Sequence, residues 1–160
     1  LNTLVERHHS PLLGFLYRLT GGDRALAEDL AQEAFLRVLR SIEQYAHPRP
    51  FKPWLYAIAT NTARDYFKRA DTRYTDSMAE DFDSPADDPP DAHLLAAEDA
   101  RQVAAAMAAL PDHQRETVVL RYYQDLSLNE IAEALDVPVG TVKSRLSLGL
   151  KRMREMLEKG

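Results

Sequence analysis

Ser127-Leu128-Asn129-Glu130-Ile131-Ala132-Glu133-Ala134-Leu135-Asp136-Val137-Pro138-Val139-Gly140-Thr141-Val142-Lys143-Ser144-Arg145-Leu146 decides the fold of this 160-residue chain. A serine followed three residues later by glutamate is a capping box, in which each side chain satisfies a backbone donor left free at a helix start. Ile131, Ala132 and Leu135 give that helix a short buried face. Asp136-Val137-Pro138 makes a turn, since proline cannot continue a helix but suits the start of the next. From Val139 a second helix opens, with Val142 and Leu146 returned to the core at i, i+4 spacing. Two short helices, a tight turn and a basic second helix predict a helix-turn-helix, whose second helix enters the major groove of duplex DNA. Thr141, Lys143, Ser144 and Ser147 are the residues that spacing turns toward DNA. From Lys143 to Lys159 six basic residues face only Glu155 and Glu158, so the segment is suited to phosphate.

Upstream, a helix is predicted to run through Leu110 and stop at Pro111, with Asp112 as cap of the next. Before it, Asp71 to Asp91 carries acids and three prolines among few apolar residues, a composition that cannot bury enough surface to offset its ordering entropy. This predicts a flexible acidic linker over 71–97, between one helical domain at 1–70 and another at 98–160. The net charge of −5 is concentrated there: the three segments carry +3, −7 and −1 in chain order. An acidic chain average therefore does not exclude nucleic acid as a partner.

In the first block, Leu26, Leu30, Ala34, Val38 and Ile42 recur every fourth residue, and Ala31, Phe35 and Leu39 widen the stripe of an amphipathic helix. Leu12, Leu16 and Leu19 predict a helix before it, stopped near Gly21 and Gly22. After His47-Pro48-Arg49-Pro50, Pro53 suits the first turn of a helix running to about Arg69, with Leu55, Ile58, Thr62 and Tyr66 as its core face. Trp54, Tyr56, Thr60, Asn61, Arg64 and Lys68 are left for its outer face or rim. Aromatic, amide and basic groups together suit unstacked bases and phosphates. Trp54 is more often a core residue than a ligand platform, and Arg64 and Lys68 also suit a helix carboxyl end.

Hydrophobic residues make up 45% and charged residues 28%, enough to build helical cores in a chain of one ordinary or two small domains. The fold class is therefore all-α, two small helical domains. No cysteine is present, so disulfide and thiolate metal sites are excluded, in keeping with a cytoplasmic protein. The longest apolar run, Val103 to Leu110, is far short of the roughly 18 residues of a bilayer span, which argues against membrane insertion. His8, His9, His47, His93 and His113 lack metal-ligand spacing; neither a metal nor another cofactor is expected. The chain begins at Leu1 rather than methionine, consistent with a start inside a longer reading frame, and its end at Gly160 leads to the expectation of no appended regulatory domain.

Four stretches together resemble the extracytoplasmic-function (ECF) sigma factors of bacterial RNA polymerase. They are Ala27-Glu28-Asp29-Leu30-Ala31-Gln32-Glu33-Ala34-Phe35; Trp54-Leu55-Tyr56-Ala57-Ile58-Ala59-Thr60-Asn61; Leu110-Pro111 with Arg115-Glu116 and Leu120-Arg121-Tyr122; and Leu126-Ser127 through Leu146. The resemblance implies a sigma domain 2 at 1–70 and a sigma domain 4 at 98–160. It implies that Asp29, Gln32 and Glu33 dock on the clamp helices of core polymerase, with the flap as a further contact. It also implies that Phe51, Lys52, Trp54, Ile58, Asn61, Arg64 and Lys68 open and hold the minus-ten promoter element, around a flipped base. Thr141, Lys143, Ser144, Arg145 and Ser147 would read the minus-thirty-five element, and the linker would pass through the basic RNA-exit region. An anti-sigma protein is a further implied partner; a small-molecule substrate is not. Where relatives often carry an arginine, this chain has Leu148, followed by Gly149 rather than alanine, so Leu148 is not carried over. Arg145 also suits a bridge to an acid within its own domain.

A stand-alone helix-turn-helix regulator is the competing expectation: it would bind duplex DNA without polymerase and would not melt it. An enzyme is not expected, since catalysis of RNA synthesis belongs to the polymerase. Regulon, promoter bases and activating signal are not written in the chain.

Overall fold

The computed structural model describes residues 2–45, 50–74 and 94–159, and side chains for most of these. Seven α-helices follow one another, with no strand among the described residues: α1 (Asn2–Leu19), α2 (Arg24–Ser41), α3 (Phe51–Tyr74), α4 (Leu94–Ala108), α5 (Asp112–Tyr122), α6 (Leu128–Leu135) and α7 (Val139–Lys159). A single 3-10 turn, Ile42–Gln44, follows α2. No helix among the described residues is long and apolar enough to cross a membrane.

Local chemistry explains the boundaries. α1 ends where Gly21 and Gly22 take φ of 72° and 93°, a region that costs glycine nothing, and the Gly22 amide closes the helix by donating to the Tyr17 carbonyl at 2.8 Å. Asp23 caps α2 by accepting from the Leu26 amide at 3.1 Å. The capping box of α6 is complete: the Glu130 amide donates to Ser127 Oγ at 3.1 Å and the Ser127 amide to Glu130 Oε1 at 2.8 Å. Asp136 ends α6 in the left-handed conformation at φ 55°, and Pro138 leads into α7.

α1 reaches back to Asn2 and holds Pro11 within it. Several expectations are corrected. α3 continues past Arg69 to Tyr74. Asp112 is the first helical residue of α5 rather than its cap: Pro111 occupies the cap, and the Asp112 carboxylate accepts from Arg115 Nη1 at 3.3 Å. Leu39 is exposed, as is Leu36. On α3, Tyr56 and Thr60 are buried while Tyr66 is exposed, the reverse of the sequence reading. A helix treated as having one core face has two, because the carboxy-terminal half packs on its other flank. Residues 75–93, most of the expected linker, lie outside the described residues.

Leu12, Phe15 and Leu16 of α1, Ala27, Ala31 and Ala34 of α2, and Leu55 and Ala59 of α3 form the amino-terminal core. Leu110, Val119, Leu120, Leu126, Ile131, Val142 and Leu146 form the carboxy-terminal one, and the two are continuous. α3 packs on α6 and α1 on α5. Polar contacts also cross the seam between the halves. Arg64 on α3 grips Glu116 on α5 with two bonds, Nη2 to Oε1 at 2.6 Å and Nε to Oε2 at 2.9 Å. Gln124 donates from Nε2 to the Tyr56 hydroxyl at 2.6 Å and to the Pro11 carbonyl at 3.0 Å. Arg18 lies 4.0 Å from the Tyr123 ring centre, within cation-π range.

Candidate nucleic-acid interfaces

α7 presents the first surface. Val142, Leu146, Gly149 and Met153 are buried, which fixes the rotation of the helix about its axis and turns Lys143, Ser144 and Ser147 to solvent. Thr141 is half-buried at the helix start. Arg145 is half-buried as well, and no carboxylate among the described residues pairs with it; its Nη1 is enclosed without a hydrogen-bond partner there. The internal bridge expected as its alternative role is therefore not formed. Gly149 is set by packing: a Cβ there would stand 3.0 Å from Val118 Cγ2 and 3.5 Å from Gln114 Cβ. The glycine lets α7 approach α5 closely, with the outer face left free.

A second surface lies where α2 and α3 meet. Phe51 and Trp54, at the start of α3, join Tyr45 and His8 in an aromatic cluster, with Tyr45 and Trp54 ring centres 4.7 Å apart and His8 and Phe51 5.2 Å apart. Trp54 is only partly buried there, between core and surface, and Lys52 is half-buried beside it. Next along α3, Ile58 and Asn61 line a hollow whose other wall is Arg37, Arg40 and Ser41 of α2. An aliphatic floor, an amide and two guanidiniums suit an unstacked base with its phosphates. Arg37 is held in place by Glu33 at 3.1 Å and Asp65 at 2.9 Å. Burial disfavours its charge, but the bonds to Asp65 and Glu33 outweigh this and its pKa is raised.

The remaining residues singled out from the sequence separate. Asp29 and Gln32 are exposed on α2, on the same flank as exposed Leu36 and Leu39. Glu33 is turned instead toward Arg37, with Arg40 Nη1 at 4.0 Å. Lys68 is exposed near the far end of α3. Arg64 sits in the seam, its pKa raised by the bonds to Glu116 against the opposing effect of burial. Burial pushes the Tyr56 phenol up, and the bond from Gln124 partly offsets this. Sequence reasoning missed Arg40, Ser41 and Tyr45 as partners of α3. The usable signal was the spacing of Glu33, Arg37 and Arg40, which stacks them on one face of a helix.

This architecture, a three-helix block joined to a helix-turn-helix block, is that of a two-region transcription initiation factor. Residues 4–73 match the family model of Sigma-70 region 2 and residues 100–153 that of Sigma-70, region 4. Over 160 residues the chain is 38% identical to the ECF RNA polymerase sigma factor SigE of Mycolicibacterium smegmatis, covering 98% of this chain and 61% of that protein. It is 35% identical to SigW of Bacillus subtilis, covering 96% of this chain and 87% of that one. In fold it superposes on the sigma factor RpoE of Bartonella quintana, solved with the anti-sigma factor NepR, at a TM-score of 0.81 and 23% identity, over 99% of this chain and 98% of the other. The chain belongs to the ECF sigma factors, the alternative sigma factors that bring bacterial RNA polymerase to promoters, and the reading as a stand-alone regulator is set aside.

Proposed function

We propose that the described surfaces divide promoter recognition between them. The outer face of α7 reads the minus-thirty-five element as duplex through Thr141, Lys143, Ser144, Arg145 and Ser147. The α2–α3 hollow holds an unpaired base of the minus-ten element, with Asn61 on its edge, Ile58 beneath it and Phe51, Lys52 and Trp54 alongside. Base extrusion costs a few kcal/mol, which stacking and edge hydrogen bonds offset. The carrying observation is the hollow itself, which brings Asn61 and Ile58 opposite two guanidiniums.

Asp29 and Gln32, with the neighbouring exposed leucines, dock on the clamp of core polymerase. Glu33 joins them in docking on the clamp, its side chain still 38% exposed while its carboxylate also steadies Arg37. The domain limits are 1–70 and 98–160, with 71–97 as the linker. Arg64 and Lys68 serve the minus-ten element, and for Arg64 this requires the halves to part, because Glu116 occupies its guanidinium. The factor acts in the cytoplasm, has no catalytic activity of its own, serves a stress or signal regulon and is restrained by an anti-sigma protein. The complex of RpoE with NepR supports the last of these.

The test is promoter selection by the purified factor with core polymerase, followed by permanganate footprinting of melted thymines. Selection of a bipartite element only in the presence of core, with opening at its downstream half, is the expected outcome. Asn61→Ala should reduce opening while leaving core affinity unchanged. Equal loss of both would remove Asn61 from the base hollow.

A further inference from the structure

Leu148 is 52% exposed, a large aliphatic side chain turned to water in the middle of the outer face of α7. Its position is not a lapse in patterning. At about 100° per residue it lies opposite the buried stripe of Val142, Leu146, Gly149 and Met153, one turn beyond Ser144 and one turn before Lys151, both exposed. The neighbouring Gly149 is buried close against Val118, which keeps the rotation of α7 that leaves Leu148 in water. A leucine in a field of serine and lysine can neither donate nor accept a hydrogen bond, so it adds nothing to phosphate binding. In the major groove, thymine offers an apolar group among the hydrogen-bonding base edges, its 5-methyl.

We propose that Leu148 is a specificity determinant that packs on the methyl group of a thymine in the upstream promoter element. The inference rests on α7 being the duplex-reading helix, and extends that reading to a base the polar residues do not specify. Ser144 and Leu148 are separated by about 6 Å along the helix axis, one turn apart, so the thymine lies close to the base pair that Ser144 faces.

The test uses the full chain bound to core polymerase and the upstream element it selects. Each thymine of that element is replaced singly by deoxyuridine, which removes the methyl and nothing else. One replacement should weaken binding by about 3- to 5-fold, as expected for one buried methyl. Leu148→Ala should weaken binding to the thymine promoter by a similar factor and leave that uridine promoter unaffected, so the two losses do not add. Leu148→Arg should shift selection at that position toward guanine. Equal binding of all uridine promoters, or a methyl effect that persists in Leu148→Ala, overturns the inference while leaving α7 as the reading helix. A loss of core affinity in Leu148→Ala without DNA also overturns it, placing the side chain against polymerase. Failure of the holoenzyme to select any upstream element overturns the reading of α7 itself.

Discussion

The seam between the halves and the outer face of α7 both place basic side chains among polar ones, yet they are built on opposite principles. In the seam, Arg64 meets a carboxylate, Glu116, whose side chain is only 5% exposed. On α7, Lys143 stands in water. A partly desolvated, bidentate guanidinium–carboxylate pair is directional and strong, whereas an exposed ammonium is worth little to the fold. The seam therefore holds one arrangement of the protein, and the α7 face is kept for something outside it. The seam also carries polar groups beside its continuous hydrophobic core. Glu116, Arg64, Gln124 and Tyr56 are all polar at their tips, and each meets its partner across the seam.

The sharpest way to break this contrast is Arg64→Ala. It leaves Glu116 buried without its guanidinium, at a cost of about 2 kcal/mol. The loss stays below that of a fully buried pair because Arg64 is 35% exposed and because separation of the halves lets water reach Glu116. Urea unfolding should show the loss, and fluorophores placed on α2 and α7 should report a larger separation. Glu116→Gln, which keeps one acceptor for Arg64, replaces the other with a donating amide and removes the charge, should move both readouts less. Equal fluorophore separation in wild type and Arg64→Ala would mean that the pair does not hold the halves together.

Two further changes probe how α6 and α7 are set, each expected to cost about 1 kcal/mol. Ser127→Ala removes one bond of the capping box and leaves the Glu130 amide unmet, the usual loss for a helix cap. Gly149→Ala gains about 1 kcal/mol in helix propensity but forces a Cβ against a buried, β-branched Val118, at a cost of roughly 1 to 3 kcal/mol for overpacking, so the net sign is destabilising. Thermal midpoints of both variants check these values. A stabilised Gly149→Ala would show that α5 yields, and that the closeness of α7 to α5 is not imposed by the glycine.

The helix-turn-helix was legible because everything that fixes it is local. The Ser127/Glu130 box, the Asp136 turn and the Val142/Leu146 stripe are read within about twenty residues, and each was found where the spacing put it. α3 was misread for the opposite reason. Tyr56 and Thr60 look like rim residues from the spacing of α3 alone; Tyr56 is enclosed between Phe15 of α1 and Gln124, some sixty residues downstream, and Thr60 is buried as well. The same distance hid the engagement of Arg64: nothing near residue 64 announces Glu116. The base hollow lies between these cases. Ile58 and Asn61 were visible on α3, but the wall that makes them a site comes from Arg37, Arg40 and Ser41 on another helix. Periodicity predicts faces; which face meets which is settled by tertiary packing.

Lys143→Ala is the smallest perturbation of stability and the one that most sharpens the contrast with Arg64. An exposed lysine among the described side chains of α7 should contribute less than about 0.5 kcal/mol to folding, so the thermal midpoint should stay put. If it contacts a phosphate, its removal lowers the steepness of the salt dependence of upstream-element binding by about one counterion, because each neutralised phosphate releases about 0.9 of an ion from duplex DNA. Binding should fall by a similar factor on every promoter sequence, unlike the base-selective loss at Leu148. An unchanged salt slope with an altered base preference would make Lys143 a reader of base edges instead, since lysine can also donate to guanine O6 and N7. A lowered midpoint would show that the outer face of α7 is part of the fold after all, and would erase the distinction between the two surfaces.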